Sequence, residues 1–267
     1  MQRGAGSPRR GRLPGTGGNG APALEPKGGL QMEEGTTQGI LLLSDISGYT
    51  EFVRRHTRSA SHARQITVRL LKAIVSASSP PLSVAELEGD AVFFYALGSE
   101  EELPELAKKV KEQIPRLFRA FTRELKILSS GPNCSCHACA CIAALRLKQA
   151  VHVGEVAVEK IGRFEKLFGL AVIIVHRMLK NSVPAREYLM LSELAFSNFD
   201  DFFGLEPERR IVELEGIGEY EMMVFYAEQM ASVQDELAKT EGPIPDPSLS
   251  QILRWKLGLW VRTLLDR

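Results

Sequence analysis

Between residues 40 and 226, hydrophobic and polar positions alternate in blocks whose periods predict a chain of strands and helices. Ile40–Leu43 is a run of four aliphatic residues without polar alternation, the pattern of a strand buried on both faces; it leads into Asp45 and a Ser47-Gly-Tyr-Thr50 turn. From Tyr49 to about Ser76, apolar residues at helical spacing (Ile66, Leu70, Leu71, Ile74) predict one broken helix or two successive ones, stopped by Ser78-Ser79-Pro80-Pro81. Two β-rich runs between Leu82 and Gly98, separated at Gly89-Asp90, read as a hairpin. Glu100 to about Leu128 reads as a long helix with Leu106, Val110, Ile114, Leu117, Phe118 and Phe121 on its buried stripe. After a cysteine-rich stretch, Leu145–Ile161 reads as two strands bent at Gly154 and Gly169–Asn181 as a short helix. Tyr188–Leu191 is a strand, and Ile211–Tyr226 a hairpin turning at Gly216–Gly218. This order predicts an α+β fold, one mixed sheet with helices packed on it.

The flanks have other patterns. Residues 1–36, rich in Gly, Pro and Arg with no apolar period, are expected to be a disordered tail, because they bury too little to offset chain entropy. Residues 37–227 then form the domain, and the polar stretch 228–248, with Pro243, Pro245 and Pro247, is expected to be a linker. Residues 249–267 read as an amphipathic helix with Leu253, Leu257, Trp260, Val261 and Leu264 on one face, docked on its own domain or on a partner copy.

Charge narrows the function classes. Lys and Arg total 33, equal to Asp and Glu, so nothing in the bulk charge calls for a nucleic-acid partner. No stretch approaches the roughly 18 apolar residues of a membrane span, and the N-terminal residues lack the apolar core of a secretion signal, so the expectation is a cytoplasmic protein. Reduced thiols in that compartment turn Cys134, Cys136, Cys139 and Cys141, with His137 among them, toward zinc or redox chemistry rather than a disulfide framework. Asp45 at the end of a core strand and Asp90 in a hairpin turn are hard oxygen donors suited to divalent ions; both are also ordinary capping and turn positions.

The segments DISGYTEF (Asp45–Phe52), ELEGDAV (Glu86–Val92), VHVGEV (Val151–Val156), FGLAVIIVHRM (Phe168–Met178) and LEGIGEYEMMVFY (Leu214–Tyr226) together resemble the catalytic domain of class III adenylate and guanylate cyclases, and most nearly an uncharacterised bacterial group of divergent members. The resemblance implies a ferredoxin-like mixed sheet, a site shared between two copies, and a purine nucleoside triphosphate held with magnesium or manganese. It assigns metal binding to Asp45, Asp90 and the backbone carbonyl of Ile46, base recognition to Glu86 and Lys166, and transition-state stabilisation to Arg177. Glu86 leans toward guanine, whose N1–H and amino group donate to a carboxylate. The family's ribose-orienting Asn is replaced by Ile173, and its phosphate-binding Lys by Ile217. Those losses imply nucleotide binding in a homodimer with weak or no cyclisation. Two alternatives stand beside it: an active guanylate or adenylate cyclase in cyclic nucleotide signalling, and a non-enzymatic sensor or interaction module built around the cysteine loop.

Overall fold

The computed structural model describes Met1 and residues 35–54, 60–130 and 136–265, so the tail expected over 1–36 and Cys134 lie outside the described residues apart from Met1, Gly35 and Thr36. Strand β1 (Thr36–Ser47) runs through the middle of the sheet and is followed by α1 (Tyr49–Arg54) and α2 (Ala60–Ala77). The hairpin β2 (Ser83–Glu88) and β3 (Ala91–Gly98) leads into α3 (Leu103–Ser129). Next come α4 (His137–Cys141), a 3-10 turn at Ile142–Ala144, β4 (Arg146–Ile161), β5 (Phe164–Phe168) and α5 (Leu170–Met178). The chain closes with β6 (Tyr188–Ser192), α6 (Glu193–Asn198), β7 (Glu208–Leu214), β8 (Gly218–Tyr226), α7 (Ala227–Glu241) and α8 (Leu249–Leu265).

The sheet order is β2-β3-β1-β4-β6-β8-β7, with β5 paired to β4 outside this path. The β4–β6 pair is parallel and the other pairs antiparallel, so the sheet is mixed, as expected. Alternate side chains of β1 explain the unbroken aliphatic run. Ile40, Leu42 and Ile46 enter a core shared with α2 and α3, whereas Leu41 and Leu43 enter one on the opposite face shared with Ala171, Ile174 and Val175 of α5.

Four expectations change, the last of them in helix α8. Leu145–Ile161 is not two strands bent at Gly154: β4 is continuous through it, and the glycine serves close packing instead, because a Cβ there would sit 2.9 Å from the Cβ of Ala171. Residues 228–241, expected within a linker, are helical. Met230 and Val233 of α7 are buried, and Gln229 anchors its first turn by accepting the Tyr226 amide at 2.9 Å and donating to the Glu206 carbonyl at 2.6 Å. β5 adds a strand where none was expected, because its side chains are largely exposed and carry little apolar periodicity.

Helix α8 docks through the side opposite the expected one. Trp255 and Leu259 are buried, with Trp255 donating its indole N–H to the Leu128 carbonyl of α3 at 3.2 Å and lying 4.9 Å under the Arg69 guanidinium. Leu253, Leu257 and Trp260 remain about 60% exposed. Among the described residues no helix is long and apolar enough to cross a membrane.

Candidate functional site

Antiparallel pairing places Asp45 of β1 opposite Ala91 of β3, one residue from Asp90 in the β2–β3 turn, and the Ile46 amide donates to the Asp90 carbonyl at 3.2 Å. On the other side of β1, Asp45 faces Lys148 of β4, whose ammonium lies 2.9 Å from Oδ2 of Asp45. Two strands and a hairpin turn thus deliver two carboxyls and one ammonium to one end of the sheet. The two carboxyls are within hydrogen-bonding reach of each other, and Asp90 is pushed up to about 6 by burial, then by the negative charge of Asp45; its backbone hydrogen bond and Lys148 offset this only in part. With both carboxylates ionised, Lys148 leaves one negative charge uncompensated. A divalent cation with a preference for oxygen ligands fits that donor set and would remove the repulsion. Ile46 is buried, and its backbone lies alongside Asp90. Lys148 was not singled out by its sequence context; its position opposite Asp45 exists only once β1 and β4 pair.

A second constellation lies against α5. Gly169, at φ +137°, starts this helix where a Cβ would meet the Glu155 carbonyl oxygen at 2.8 Å, so glycine lets the helix begin tight against β4. That approach aims Ile173, His176 and Arg177 at a cavity of about 380 Å³ shared with β2, β3 and β5. Glu86 of β2 and Lys166 of β5 form an ion pair on its wall, while Phe93, Leu167, Val172 and Ile173 supply apolar surface. Arg177 pairs with the exposed Glu215. His152 and His176 both lie in apolar runs that suggest core positions, yet only His152 is buried: its Nδ1 is 2.8 Å from Ser192 Oγ, and burial holds it down to about 4. His176 lines the cavity, with Nε2 3.1 Å from Glu88 and its ring edge-on to Phe93 at 4.8 Å. Ile217, in the β7–β8 turn two residues after Glu215, is half-buried against the core on the α5 face. Asp45 and Asp90 do not line this cavity, so the carboxyl pair and the cavity are separate features of the chain.

Of the cysteines whose pattern suggests zinc or redox chemistry, Cys136 and Cys139 come together, and their companion is His62 of α2 rather than Cys141. His62 carried no local signal, being 74 residues from Cys136.

Comparison with known proteins completes the description. A family model described as "Protein of unknown function (DUF2652)" matches residues 67–188. The uncharacterised protein Rv2561/Rv2562 of Mycobacterium tuberculosis is 36% identical over 151 residues, spanning 57% of this chain and 68% of that protein. Among solved structures, the adenylyl cyclase CyaB from P. aeruginosa superposes with a TM-score of 0.56 at 13% identity, covering 72% of this chain and 95% of that one. The guanylyl cyclase Cya2 does so at 0.55 and 14%, covering 72% and 92%. At such identities the likeness is one of fold: a mixed sheet with helices packed on it, as in class III cyclase domains.

Proposed function

The chain belongs to the same family as that mycobacterial protein and has the fold of class III nucleotidyl cyclase domains, and on this footing we propose that it binds a purine nucleoside triphosphate together with magnesium or manganese and cyclises it weakly or not at all. The observation that carries this reading is the pair Asp45–Asp90: two carboxyls brought together, half-buried, at a cost that Lys148 offsets only in part and that a bound cation would remove. Asp45, Asp90 and the Ile46 carbonyl would hold the ion, which when bound supplies Lewis acidity toward a phosphate oxygen and the attacking hydroxyl. Lys148 neutralises Asp45 and would be a cation beside any phosphate that such an ion holds.

In the α5 cavity the ion pair Glu86–Lys166 offers an acceptor beside a donor. Guanine matches it, with N1–H and the amino group donating to Glu86 and O6 accepting from Lys166. The apolar walls, Phe93 and Leu167 among them, suit the faces of a purine ring. Arg177 can exchange the exposed carboxylate of Glu215 for a phosphate at little cost, since an exposed ion pair is worth at most about 1 kcal/mol. The chain offers Ile173 and Ile217 where a ribose contact and a second phosphate cation are needed, and these side chains stabilise no developing charge. Because the carboxyl pair and the cavity are separate on one chain, a complete site takes two copies, the carboxylates of one facing the cavity of the other.

Equilibrium binding of GTP and ATP with manganese, alongside an assay for cyclic product, tests the proposal. Saturable, manganese-dependent nucleotide binding with little or no product is expected. Failure of both nucleotides to bind would end it, and rapid product formation would replace it with an active cyclase.

A further inference from the structure

Beyond the nucleotide reading, we propose that His62, Cys136 and Cys139 form a zinc site that fastens the entry of β4 to α2. His62 lies in the first turn of α2 and is 6% exposed; Cys139, in α4, is 4% exposed, and Cys136, just before α4, is half-buried. Nδ1 of His62 is 3.5 Å from Cys136 Sγ and 3.8 Å from Cys139 Sγ, and all three donor atoms lie within 4.8 Å of one another.

The two sulfur–nitrogen distances match the edges of a coordination tetrahedron. With zinc–sulfur bonds of about 2.3 Å and a zinc–nitrogen bond of about 2.0–2.1 Å, tetrahedral angles put sulfur and nitrogen about 3.6 Å apart. A hydrogen bond explains less of the geometry. In either tautomer Nδ1 has a single in-plane lone pair or a single N–H and so makes one well-aligned hydrogen bond, whereas both sulfurs converge on it. An ion at the centre engages all three atoms at once. The spacing Cys136-His-Ala-Cys139 is the C-x-x-C turn that presents two thiolates to one point, and α2 supplies the third ligand from 74 residues earlier.

Ligand chemistry separates this site from the carboxyl pair. Two thiolates and an imidazole select zinc over magnesium or manganese, while Asp45 and Asp90 have the opposite preference, so the two sites fill independently. Three protein donors leave the fourth position to a ligand from outside the triad, and Cys141 is not part of the cluster. Downstream of Cys139 the chain buries Ile142 and Leu145 and then enters β4, whose third residue is Lys148. Fixing Cys136 and Cys139 to α2 therefore fixes the strand that carries the ammonium facing Asp45.

Elemental analysis of the full chain, purified under reducing conditions without chelator, should find about one zinc per chain, and cobalt exchanged into it should show a thiolate-to-cobalt charge-transfer band. His62→Ala, Cys136→Ser and Cys139→Ser should each weaken zinc binding on the order of a hundredfold, whereas Cys141→Ser should keep the metal. His62→Cys, which offers a third thiolate from the same helix, should retain zinc and intensify the cobalt band; this guards against reading an unfolded alanine variant as a lost ligand. A metal-free parent that takes up no cobalt would overturn the proposal, as would a Cys136–Cys139 disulfide that persists under reduction or a Cys141→Ser variant that loses zinc as completely as Cys136→Ser.

Discussion

At one end of β1 the chain gathers like charge: Asp45 and Asp90 repel each other, and Lys148 offsets only one of them. Beside α5 the same chain goes the other way, with Ile173 51% exposed at the mouth of a cavity and Ile217 packed in the neighbouring turn. Neither choice follows from stability alone. A half-buried like-charge pair opposes folding, and an isoleucine half in water contributes little to a core. On the proposed reading, the contrast separates groups that would hold a cation and its ligand from the contacts that would accelerate a reaction.

Removing the charge at the first end should have the largest effect. Asp45→Ala is expected to weaken manganese-dependent nucleotide binding by about a thousandfold, the scale of truncating one member of a buried charged group, with circular dichroism unchanged. Binding that survives would dissolve the contrast, since the carboxyl pair would then have no ligand to explain it. Next in size comes restoring polarity at the other end: Ile173→Asn with Ile217→Lys should raise cyclic product formation by roughly a hundredfold, because one recovered contact of about 3 kcal/mol corresponds to that factor. A parent as fast as the double variant would place the catalytic groups elsewhere.

A smaller effect is expected within the cavity itself. Glu86→Gln removes the carboxylate that accepts two guanine donors and should cut the preference for GTP over ATP by about tenfold, read by competition binding, while leaving metal affinity untouched. An equal loss for both nucleotides would reduce Glu86 to a general support for Lys166.

The smallest effect concerns stability of the metal-free protein. Asp90, raised from 3.8 to about 6, binds protons more tightly when folded, so its contribution is full below pH 3.8 and is lost as pH rises through 6. His152, lowered from 6.5 to about 4 by burial, works in the opposite sense: its contribution is full above pH 6.5 and is lost as pH falls through 4. The two slopes oppose each other in the same window. Asp90→Asn removes the descending one, so its stability should climb more steeply than the parent's between pH 4 and 6. By pH 7 it should exceed the parent by about 1 kcal/mol, a full-burial figure of about 3 kcal/mol reduced for a half-exposed group. Parallel denaturation curves across that window would show that Asp45 and Asp90 do not strain the fold.

Legibility in the sequence followed the range of the interactions. Ile40–Leu43 announced a strand buried on both faces because each residue has a core of its own. Asp45, Asp90 and Arg177 stood out through short contiguous segments, and the structure places the two aspartates together. His62 and Lys148 gave no comparable sign, since each matters through a neighbour that only folding brings near. Helix α7 was hidden by weak periodicity: it buries only Met230 and Val233, too few apolar positions to outweigh a polar composition and the prolines that follow. The docked side of α8 departs from its apolar stripe for a related reason. Leu253, Leu257, Trp260 and Val261 form the more apolar stripe, but the contact is made by Trp255, whose indole N–H finds a carbonyl on α3.

That arrangement gives the protein an optical asymmetry. It has two tryptophans, one enclosed at 3% exposure and hydrogen-bonded, the other 61% exposed five residues away on the same helix. Their fluorescence should split into a blue-shifted component that acrylamide barely reaches and a red-shifted one that it quenches readily. Release of α8 from α3 would merge the two, so the docking of this helix can be followed in solution with no label attached.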